Sequence, residues 1–404
     1  MSIFELDSIT ILLSAILLFL TLLSAVLNPF LRFKRRPDTS NEATAEDDAA
    51  TDADAKLPPL SIIIAPHDQA ESLERNLPEL LSQDYPSGYV VIVVREVSDR
   101  NTDDVLKRVK EQYEAHADNR PHDATLYVTS IQDSSRFMSR RKLAITLGIK
   151  AAKTEWVLLT EAFSRPASDQ WLKQMARTID DDCNLVVGYT AYDDNASAFM
   201  RFERLYREAY LMREDDNATA YHTLSTCLML RKSEFMEGDG YLGNLQFIHG
   251  EFDFIVNKYA RPDSTRLQLS PDAWMTEETP SHKTWLNRHI FYQETRRHLS
   301  RSLSHRAFVL LDHLFLHLSF LSAAAAAVYS ALTARWLLLA FALVMLIAGW
   351  VVRTSIGRRA MRCFGVRVGA LSYVPFELSL AWRYAGYFVR HAMASKLEFT
   401  THKQ

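Results

Sequence analysis

Acidic side chains follow three runs of aliphatic and β-branched residues, a placement suited to binding a polar ligand. The acids are Asp68 after residues 60–65, Glu96 after residues 89–94, and Glu161 after residues 156–160. A carboxylate in such a position can accept hydrogen bonds from a nucleoside or coordinate a divalent cation. The three acids therefore predict a site for a nucleotide or a similar polar ligand.

Three consecutive cations, Arg140, Arg141 and Lys142, open a segment with a helical pattern. One interpretation is that they neutralise the phosphates of a ligand, because cationic side chains bind phosphate through charge-assisted hydrogen bonds. The alternative is a solvated helix face, where charged residues are common. Arg95, next to Glu96, is a further candidate for neutralising phosphate.

Predicted strands and helices alternate along the middle of the chain. The strands are predicted over 60–65, 89–94, 125–128, 156–160 and 184–189. The helices are predicted over 70–83, 102–116, 139–152 and 168–179, with Asp68 and Glu71 as a capping box and Thr102 as an N-cap. This order predicts an α/β fold with a doubly wound, mostly parallel sheet. Ligands bind such sheets beyond the carboxyl ends of the strands, which is where the three acids are expected.

Several classes of function are disfavoured by the composition and by missing motifs. No GxGxxG follows the first strand and no GxxxxGK[ST] occurs, so a dinucleotide fold and a P-loop are not expected. The formal net charge of −3 provides no basic field for nucleic acid. Cys183, Cys227 and Cys363 are far apart and odd in number, which disfavours a zinc site or a disulfide framework and fits a reducing compartment.

Three long apolar runs predict membrane spans over 9–31, 308–332 and 336–353. A signal peptide is the alternative for the first run, but acids precede it and RFKRR follows it. Basic residues mark the cytoplasmic side of a membrane, and they flank the central region at both of its ends, so this region is predicted to be cytoplasmic. The aromatic and basic tail at 371–396 predicts an amphipathic helix in the membrane interface.

These features divide the chain into four predicted parts. They are an N-terminal membrane anchor over 1–36, an acidic flexible linker over 37–57, a cytoplasmic domain over 58–300, and two further spans with the tail over 301–404. A transporter is disfavoured, because three spans offer neither an inverted repeat nor broken helices.

Five sequence blocks occur in a characteristic order. They are SIIIAPHDQAESLERNLPELLSQDYP, VVIVVREVSDRNTDDVLKRV, SRRKLAITLGIKAAKTEWVLLTEAFSRPASDQWL, RKSEFMEGDGYLGNLQFIHGEFDF, and a QxxRR motif at Gln293, Arg296 and Arg297. Together they resemble a membrane-anchored bacterial family 2 glycosyltransferase of the GT-A fold. The resemblance covers residues 58–300, and the flanking spans are similar to the usual architecture of that family.

The resemblance implies transfer of a sugar, with inversion, from a nucleotide diphosphate donor to a hydroxyl acceptor. A carboxylate base and a divalent cation, Mg²⁺ or Mn²⁺, are the expected parts of that chemistry. The acceptor is expected to be a lipid-linked or cell-envelope glycan, built at the cytoplasmic face of a bacterial inner membrane. The implied donor-binding residues are Pro66, Asp68, Glu96, Lys142, Glu161, Gln293, Arg296 and Arg297.

Two motifs depart from the pattern of this family. The DxD position reads Glu161-Ala162-Phe163, so only Glu161 offers a carboxylate to a metal. The block that carries the base has Phe252 where the base is expected, which leaves Glu251 and Asp253 as candidates. Two residues apart, these acids share a face on a strand but diverge on a helix. The alternative for both is a helix N-terminus, where acids favour the macrodipole.

Two functions follow from these departures. The preferred one is an active membrane glycosyltransferase that adds one or a few sugars. The alternative is a catalytically inactive homologue that serves as a binding or scaffold subunit of a membrane glycan-assembly complex, which Phe163 and Phe252 would explain.

Overall fold

The computed structural model describes residues 7–31, 57–115, 124–132, 139–215, 220–395 and Phe399. The RFKRR stretch at 32–36 and the predicted acidic linker up to residue 56 lie outside the described residues. The chain forms two compact units. The first consists of Met1–Arg36, Ala198–Arg213 and Arg301–Gly386, and the second of Pro37–Ser197, Glu214–Ser300 and Tyr387–Gln404.

The described residues form helices and strands that alternate only in part along the chain. The strands are β1 (Leu60–Ile64), β2 (Tyr89–Glu96), β3 (Ala124–Ile131), β4 (Trp156–Thr160), β5 (Ser164–Pro166), β6 (Leu185–Gly188), β7 (Thr190–Tyr192), β8 (Cys227–Arg231), β9 (Thr265–Gln268) and β10 (Met275–Glu277). The helices are α1 (Ser8–Val26), α2 (Ala70–Leu81), α3 (Arg100–Ala115), α4 (Arg140–Ala151), α5 (Trp171–Arg177), α6 (Ala198–Asp215), α7 (Lys232–Glu237), α8 (Glu251–Tyr259), α9 (His282–Thr295), α10 (Leu303–Leu332), α11 (Trp336–Cys363) and α12 (Ala370–Met393).

The second unit is built on a seven-stranded sheet with the order β3-β2-β1-β4-β8-β6-β9. Neighbours pair in parallel except where β8 lies between β4 and β6 and pairs antiparallel with both. The prediction of a mixed α/β fold with a mostly parallel sheet is therefore confirmed. The chain runs from β1 outward to β2 and β3 and then returns to the other side of β1 as β4. A ligand is expected at this reversal, between β1 and β4.

Strand β1 is buried on both sides, which is why its sequence is continuously apolar. Leu60, Ile62 and Ile64 belong to the core that also contains Leu73 and Leu77 of α2. On the other side, α4 packs directly on the strand, because a Cβ at Gly148 would lie 2.5 Å from a methyl group of Ile63. This close contact fixes α4, and therefore its cationic first turn, against the sheet.

Two helix starts differ from the predictions because other side chains take the capping roles. The prediction of a capping box at Asp68 and Glu71 is wrong. Helix α2 begins after Gln69 with no side-chain cap, and Asp68 has a positive φ of 53°. Thr102 is not an N-cap either, because its amide donates to Asp99, 3.0 Å away, and α3 begins earlier, at Arg100. A short polar side chain can cap from several positions, so sequence alone does not fix the start of a helix.

A second sheet and strand β8 were not predicted. The small sheet has the order β5-β10-β7 and pairs segments that lie far apart in the chain. Strand β8 pairs antiparallel with β4, with Cys227 opposite Thr160. Its first residue therefore lies at the carboxyl end of β4, and the segment before β8 approaches the predicted ligand edge.

In the first unit, three described helices are long and apolar enough to cross a membrane: α1, α10 and α11. Helices α10 and α11 contain the predicted spans 308–332 and 336–353, whereas α1 ends at Val26 and so covers only part of the predicted span 9–31. Helix α6, with its buried Phe202, Tyr206 and Tyr210, belongs to the same unit. The aromatic and basic tail forms a helix, α12, as predicted.

Candidate active site

Strands β1, β2 and β4 reach the same level at one edge of the sheet, because Ile64 pairs with both Val93 and Thr160. The segment containing Pro66 and Asp68 continues from β1. The carboxylates of Glu96 and Glu161, which end β2 and follow β4, are both largely buried at this edge. Two of the three predicted acids are therefore held in place here, whereas the side chain of Asp68 is 88% exposed.

Glu96 lies between two cationic or potentially cationic groups. Nδ1 of His67 lies 2.8 Å from one carboxylate oxygen, and the guanidinium of Arg140 donates to the other, also over 2.8 Å. Neighbouring Arg95 forms an ion pair with Asp103 at 2.9 Å, on α3. Glu96 thus presents a well-oriented carboxylate close to the mouth of the sheet crevice, where it can accept a hydrogen bond from a ligand.

Glu161 forms an ion pair with Arg141, whose guanidinium lies on its carboxylate. Both side chains are mostly buried, so solvent screens the pair only in part. Arg140 and Arg141 therefore pair with acids at the ends of β2 and β4, the two strands that flank β1. The first turn of α4 thereby brings two guanidinium groups, a type of group that binds phosphate, to the sheet edge.

Lys142 has a different environment from the two arginines before it. Its side chain is buried, and its ammonium donates to the carbonyl oxygens of Asn244, Phe247 and His249 over 3.0, 2.6 and 3.2 Å. Burial lowers the pKa of Lys142 to about 8, against the raising effect of the nearby carboxylates Glu251 and Asp253. This cation holds backbone groups of the chain, and its predicted contact with a donor stays a prediction.

Glu251 and Asp253 lie in the first turn of α8, so they point in different directions, as two residues apart on a helix must. Gly250 precedes the helix in the left-handed conformation, with φ of 86°. A Cβ there would also lie 2.5 Å from the side chain of Thr295, at the end of α9. Both the backbone conformation and the close contact require glycine, and together they fix where α8 begins.

The two candidate acids differ in what they contact. One oxygen of Asp253 accepts from the amide of Thr223 over 3.3 Å and lies 3.5 Å from Nδ1 of His222. Glu251 is buried, and its Oε1 has no hydrogen-bond partner among the described residues. A buried carboxylate oxygen without a partner costs free energy unless a ligand donates to it. Of the two acids, Glu251 is therefore the one with an acceptor oxygen open to a further hydrogen bond.

Charges from the sheet edge and from α8 meet at His249. Burial lowers the pKa of this imidazole; the carboxylate of Glu251 opposes that effect, and Arg141, Lys142 and Arg288 reinforce it. Groups from α4, α8 and α9 thus act on one side chain. The Arg141–Glu161 pair and the free oxygen of Glu251 consequently belong to one electrostatic neighbourhood.

Arg288, on α9, is a candidate site residue that the sequence did not reveal. Its guanidinium lies 5.0 Å from the ring centre of Phe163, in cation–π geometry, and forms an ion pair with the buried carboxylate of Glu277. Phe163 itself is fixed where β5 begins, since its carbonyl accepts from the amide of Glu278 over 2.9 Å. The aromatic residue at the DxD position therefore holds a cation. No local motif around Arg288 signals this contact.

The QxxRR motif lies at the end of α9. Gln293 is buried and accepts from Arg296 over 3.1 Å, whereas Arg297 lies 3.5 Å from Glu294. Because Thr295 contacts Gly250, this motif is adjacent to the start of α8. The structure brings the last predicted block next to the acid block, and the role of each side chain toward a donor stays a prediction.

The residues at this edge do not form a ready-made metal site. Within the described ranges, no three His, Cys, Asp or Glu side chains are grouped so that they could hold an ion. Glu161 offers one carboxylate, but Arg141 occupies it, and Phe163 has no ligand atom. Any divalent cation would need the phosphates of a substrate for most of its ligands.

The chain is a mixed α/β protein with a cluster of charged side chains at the carboxyl edge of its main sheet. No protein-family model matches the chain, and no curated protein matches it. Solved structures do match. A mannosyltransferase from Pyrobaculum calidifontis, PcManGT, in complex with GDP-Man and Mn²⁺, is 17% identical with a TM-score of 0.48, covering 89% of this chain and 98% of that one.

Two structures of TarS from S. aureus are also similar. TarS 1–349 is 16% identical with a TM-score of 0.40, covering 80% of this chain and 91% of its own. Its complex with UDP-GlcNAc is 15% identical with a TM-score of 0.38, covering 80% and 92%. These likenesses concern the fold, and the activity of this chain depends on its own residues.

Proposed function

We propose that the protein is an inverting glycosyltransferase of the GT-A type, which transfers a sugar from a nucleotide diphosphate donor to a hydroxyl acceptor. The observation that carries the proposal is that Arg141, paired with Glu161, and the carboxylate of Glu251 come from two separate sequence blocks and both act on the imidazole of His249. A transfer of this kind requires a cation for the leaving diphosphate and a carboxylate for the proton of the acceptor. This grouping supplies both.

Glu251 is the proposed general base, because Oε1 is buried and without a partner among the described residues. It takes the proton of the acceptor hydroxyl as the hydroxyl oxygen attacks the anomeric carbon. The bond from that carbon to the diphosphate oxygen breaks, and its electron pair leaves with the nucleotide diphosphate. Asp253 is the less suitable base, because Thr223 already donates to its carboxylate. Its proposed role is to hold the segment before β8 against α8.

The proposed stabilisers of the leaving group are Arg141 and Arg288. Arg141 lies on Glu161 at the end of β4, and Arg288 lies over Phe163, two residues further along the chain. Fixed cations near a developing diphosphate charge lower the barrier without prior reorganisation. Because Glu161 and Phe163 do not fit a resident divalent cation, we derive no step through a metal. The metal role predicted for Glu161 is left to the test below.

The nucleoside is proposed to lie along the segment after β1, near Pro66 and Asp68, with Glu96 accepting a hydrogen bond from it. The pair of Gln293 with Arg296 adjoins the start of α8 and is proposed to close the acceptor side of the site. Lys142 and Arg297, also predicted to bind the donor, make other contacts, with backbone carbonyls and with Glu294.

We further propose that the protein is a multi-pass protein of a bacterial cytoplasmic (inner) membrane, with the domain over 58–300 on the cytoplasmic side. The length and apolar composition of α1, α10 and α11 support membrane crossing. A lipid-linked or cell-envelope glycan is the acceptor that this location favours. The domain boundaries predicted from the sequence stay part of the proposal, as does the interfacial position of α12.

The deciding experiment is a screen of the full-length protein in detergent or nanodiscs against UDP-, GDP- and TDP-sugars. Binding and hydrolysis are measured with Mg²⁺, with Mn²⁺ and with EDTA. Turnover of one donor supports the transferase. If activity persists in EDTA, the arginines stabilise the charge of the leaving group. If EDTA lowers activity and Glu161→Ala has the same effect, Glu161 binds a metal. A folded protein that binds no donor would instead support the scaffold subunit.

A further inference from the structure

Lys142 is completely buried, and all of its hydrogen-bonding capacity is used by backbone. An ammonium group has three N–H donors and no acceptor. Its three donors meet the carbonyl oxygens of Asn244, Phe247 and His249 at 3.0, 2.6 and 3.2 Å. On its remaining side, the ammonium lies 4.6 Å from the ring centre of Phe254. No N–H group of Lys142 is left to bind a phosphate.

The carbonyls that Lys142 holds belong to an irregular segment. Residues 241–249 form turns and bends, so their carbonyl groups lack the partners that a helix or a longer strand would provide. Ser139, the N-cap of α4, adds a contact by donating to the carbonyl of Ile248 over 3.3 Å. The first turn of α4 therefore fastens this segment at four carbonyls.

The fastened segment leads directly into the proposed base. Gly250 follows His249, and Glu251 is the first residue of α8. A shift of the segment would move Gly250, whose contact with Thr295 allows little movement. The six residues 244–249 form neither a helix nor a longer strand. The contacts of Lys142 therefore determine where this segment lies, and with it the Glu251 carboxylate that follows.

We propose that Lys142 is a positioning residue, which fixes the backbone before α8 so that Glu251 can take the proton of the acceptor. This inference rests on the proposed function, in which Glu251 is the base. It differs from the donor-binding role that the sequence predicts for Lys142. If Lys142 positions Glu251, its replacement lowers turnover and leaves the affinity for the sugar donor unchanged. If Lys142 binds the sugar donor, its replacement weakens that affinity.

The protonation state of Lys142 provides a distinctive signature. Burial lowers the pKa of Lys142 to about 8, and the carboxylates of Glu251 and Asp253 oppose this. Above that pH the neutral amine has two N–H donors for three carbonyls, so the segment loses one contact. Turnover should fall as the pH rises through about 8. The other titratable groups near this side chain are His249, Tyr241 and Arg141.

The test compares Lys142→Met, which keeps the length of the side chain, with Lys142→Arg, which keeps the charge. Lys150→Met is the matched control, because Lys150 is an exposed lysine on the same helix. The full-length protein is assayed with the nucleotide sugar that the wild type hydrolyses, with water as acceptor. Turnover, donor affinity and their pH profiles are measured between pH 6 and 10.

We expect Lys142→Met to lower kcat by about tenfold or more while donor affinity changes less than about twofold. Lys142→Arg should restore part of the turnover and abolish the decline above pH 8, since a guanidinium stays charged. In a Glu251→Gln background, Lys142→Met should cause no further loss. A large rise in donor Kd with unchanged kcat, or an additive loss in the double variant, would overturn the proposal.

Hydrogen exchange separates this inference from the proposed function and from misfolding. Lys142→Met should speed amide exchange over residues 244–252, with the exchange of β1 and β4 unchanged. Faster exchange throughout the second unit would indicate a merely structural role and contradict the proposal. If the wild type turns over no donor, the proposed function fails and Glu251 loses its role as base. The exchange data then still decide whether Lys142 holds the segment.

Discussion

Each of the two units contains a cluster of buried charge, and the clusters differ in how completely they are satisfied. In the first unit, Arg353 donates to both oxygens of Glu377, to Asp312, to the hydroxyl of Tyr206 and to Ser24. Asp312 and Glu377 are fully buried. This network joins helices α1, α6, α10, α11 and α12, and every guanidinium nitrogen of Arg353 has a partner.

In the second unit, some charged side chains near the sheet edge have polar atoms without a hydrogen-bond partner among the described residues. Arg141 is paired with Glu161, but its Nε has no hydrogen-bond partner among the described residues, and neither has Oε1 of Glu251. A saturated buried network rigidifies and specifies a fold, whereas an incomplete one carries a cost that a ligand can remove. Arg353 thus has the contacts of a structural residue, whereas the open positions at Arg141 and Glu251 agree with the proposed substrate site.

The largest effect on stability is expected at Arg353. Arg353→Met leaves the carboxylates of Asp312 and Glu377 buried without their cation, which should lower the free energy of unfolding by about 3 kcal/mol or more. Thermal unfolding in detergent measures the change. Arg359→Met, at an exposed position of the same helix, is the control and should have little effect. Equal stability of the two variants would remove the contrast between the clusters.

The largest effect on activity is expected at Glu251. Glu251→Gln should lower turnover by about 100-fold or more, because the amide cannot accept the proton of the hydroxyl. Melting temperature should hardly change, since Oε1 has no partner to lose. Asp253→Asn is the matched variant and should retain more activity than Glu251→Gln. The reverse order of activities would assign the base to Asp253.

Arg141 should affect donor binding more than stability, the opposite of Arg353. Arg141→Met is expected to weaken donor affinity about tenfold and to cost less stability than Arg353→Met, because Arg141 has one carboxylate partner and solvent partly reaches the pair. Titration calorimetry with the donor and thermal unfolding measure the two quantities. Lys153→Met, on the exposed surface of the same unit, serves as control. A stability loss as large as that of Arg353→Met would place Arg141 among the structural residues.

The smallest effect on stability is expected at Glu278, whose carboxylate accepts several hydrogen bonds but is partly exposed to solvent. Burial raises the pKa of Glu278, but hydrogen bonds from Arg75, Ser72 and Asn76 outweigh it, so the pKa lies below the ordinary 4.5. A lowered pKa stabilises the fold above pH 4.5, and this contribution is lost as the pH falls through the folded value.

Glu278→Gln should therefore lower the melting temperature at pH 7 by no more than about 3 °C. The difference from the wild type should shrink below pH 4.5, where the carboxyl of the wild type becomes protonated. Melting curves between pH 3 and 7 test this. A difference that grows in acid would mean that the contacts of Glu278 do not favour its charged form.

The local elements of the fold were largely predictable from the sequence. Continuous β-branched runs identify strands β1, β2 and β4, because a strand buried on both faces must be apolar throughout. The positions of Glu96 and Glu161 followed from those strands. Long apolar runs likewise predicted α1, α10 and α11. Signals of this kind depend on residues close together in the chain, so one sequence contains them.

The partners of these residues were decided by the tertiary structure alone. Helical spacing indicated that Glu251 and Asp253 diverge, but only the contacts with Thr223 and His222 distinguish them. Arg288 reaches Phe163 across 125 residues of sequence, and no motif announces that contact.

The three adjacent cations at the start of α4 show the same division most clearly. The sequence determined that Arg140, Arg141 and Lys142 open a helix, because their pattern and the cap before them are local. It could not determine that two of them pair with acids at the sheet edge while the third is buried against backbone carbonyls. Successive residues of a helix point about 100° apart, so packing of the helix on the sheet decides which side chain meets which partner.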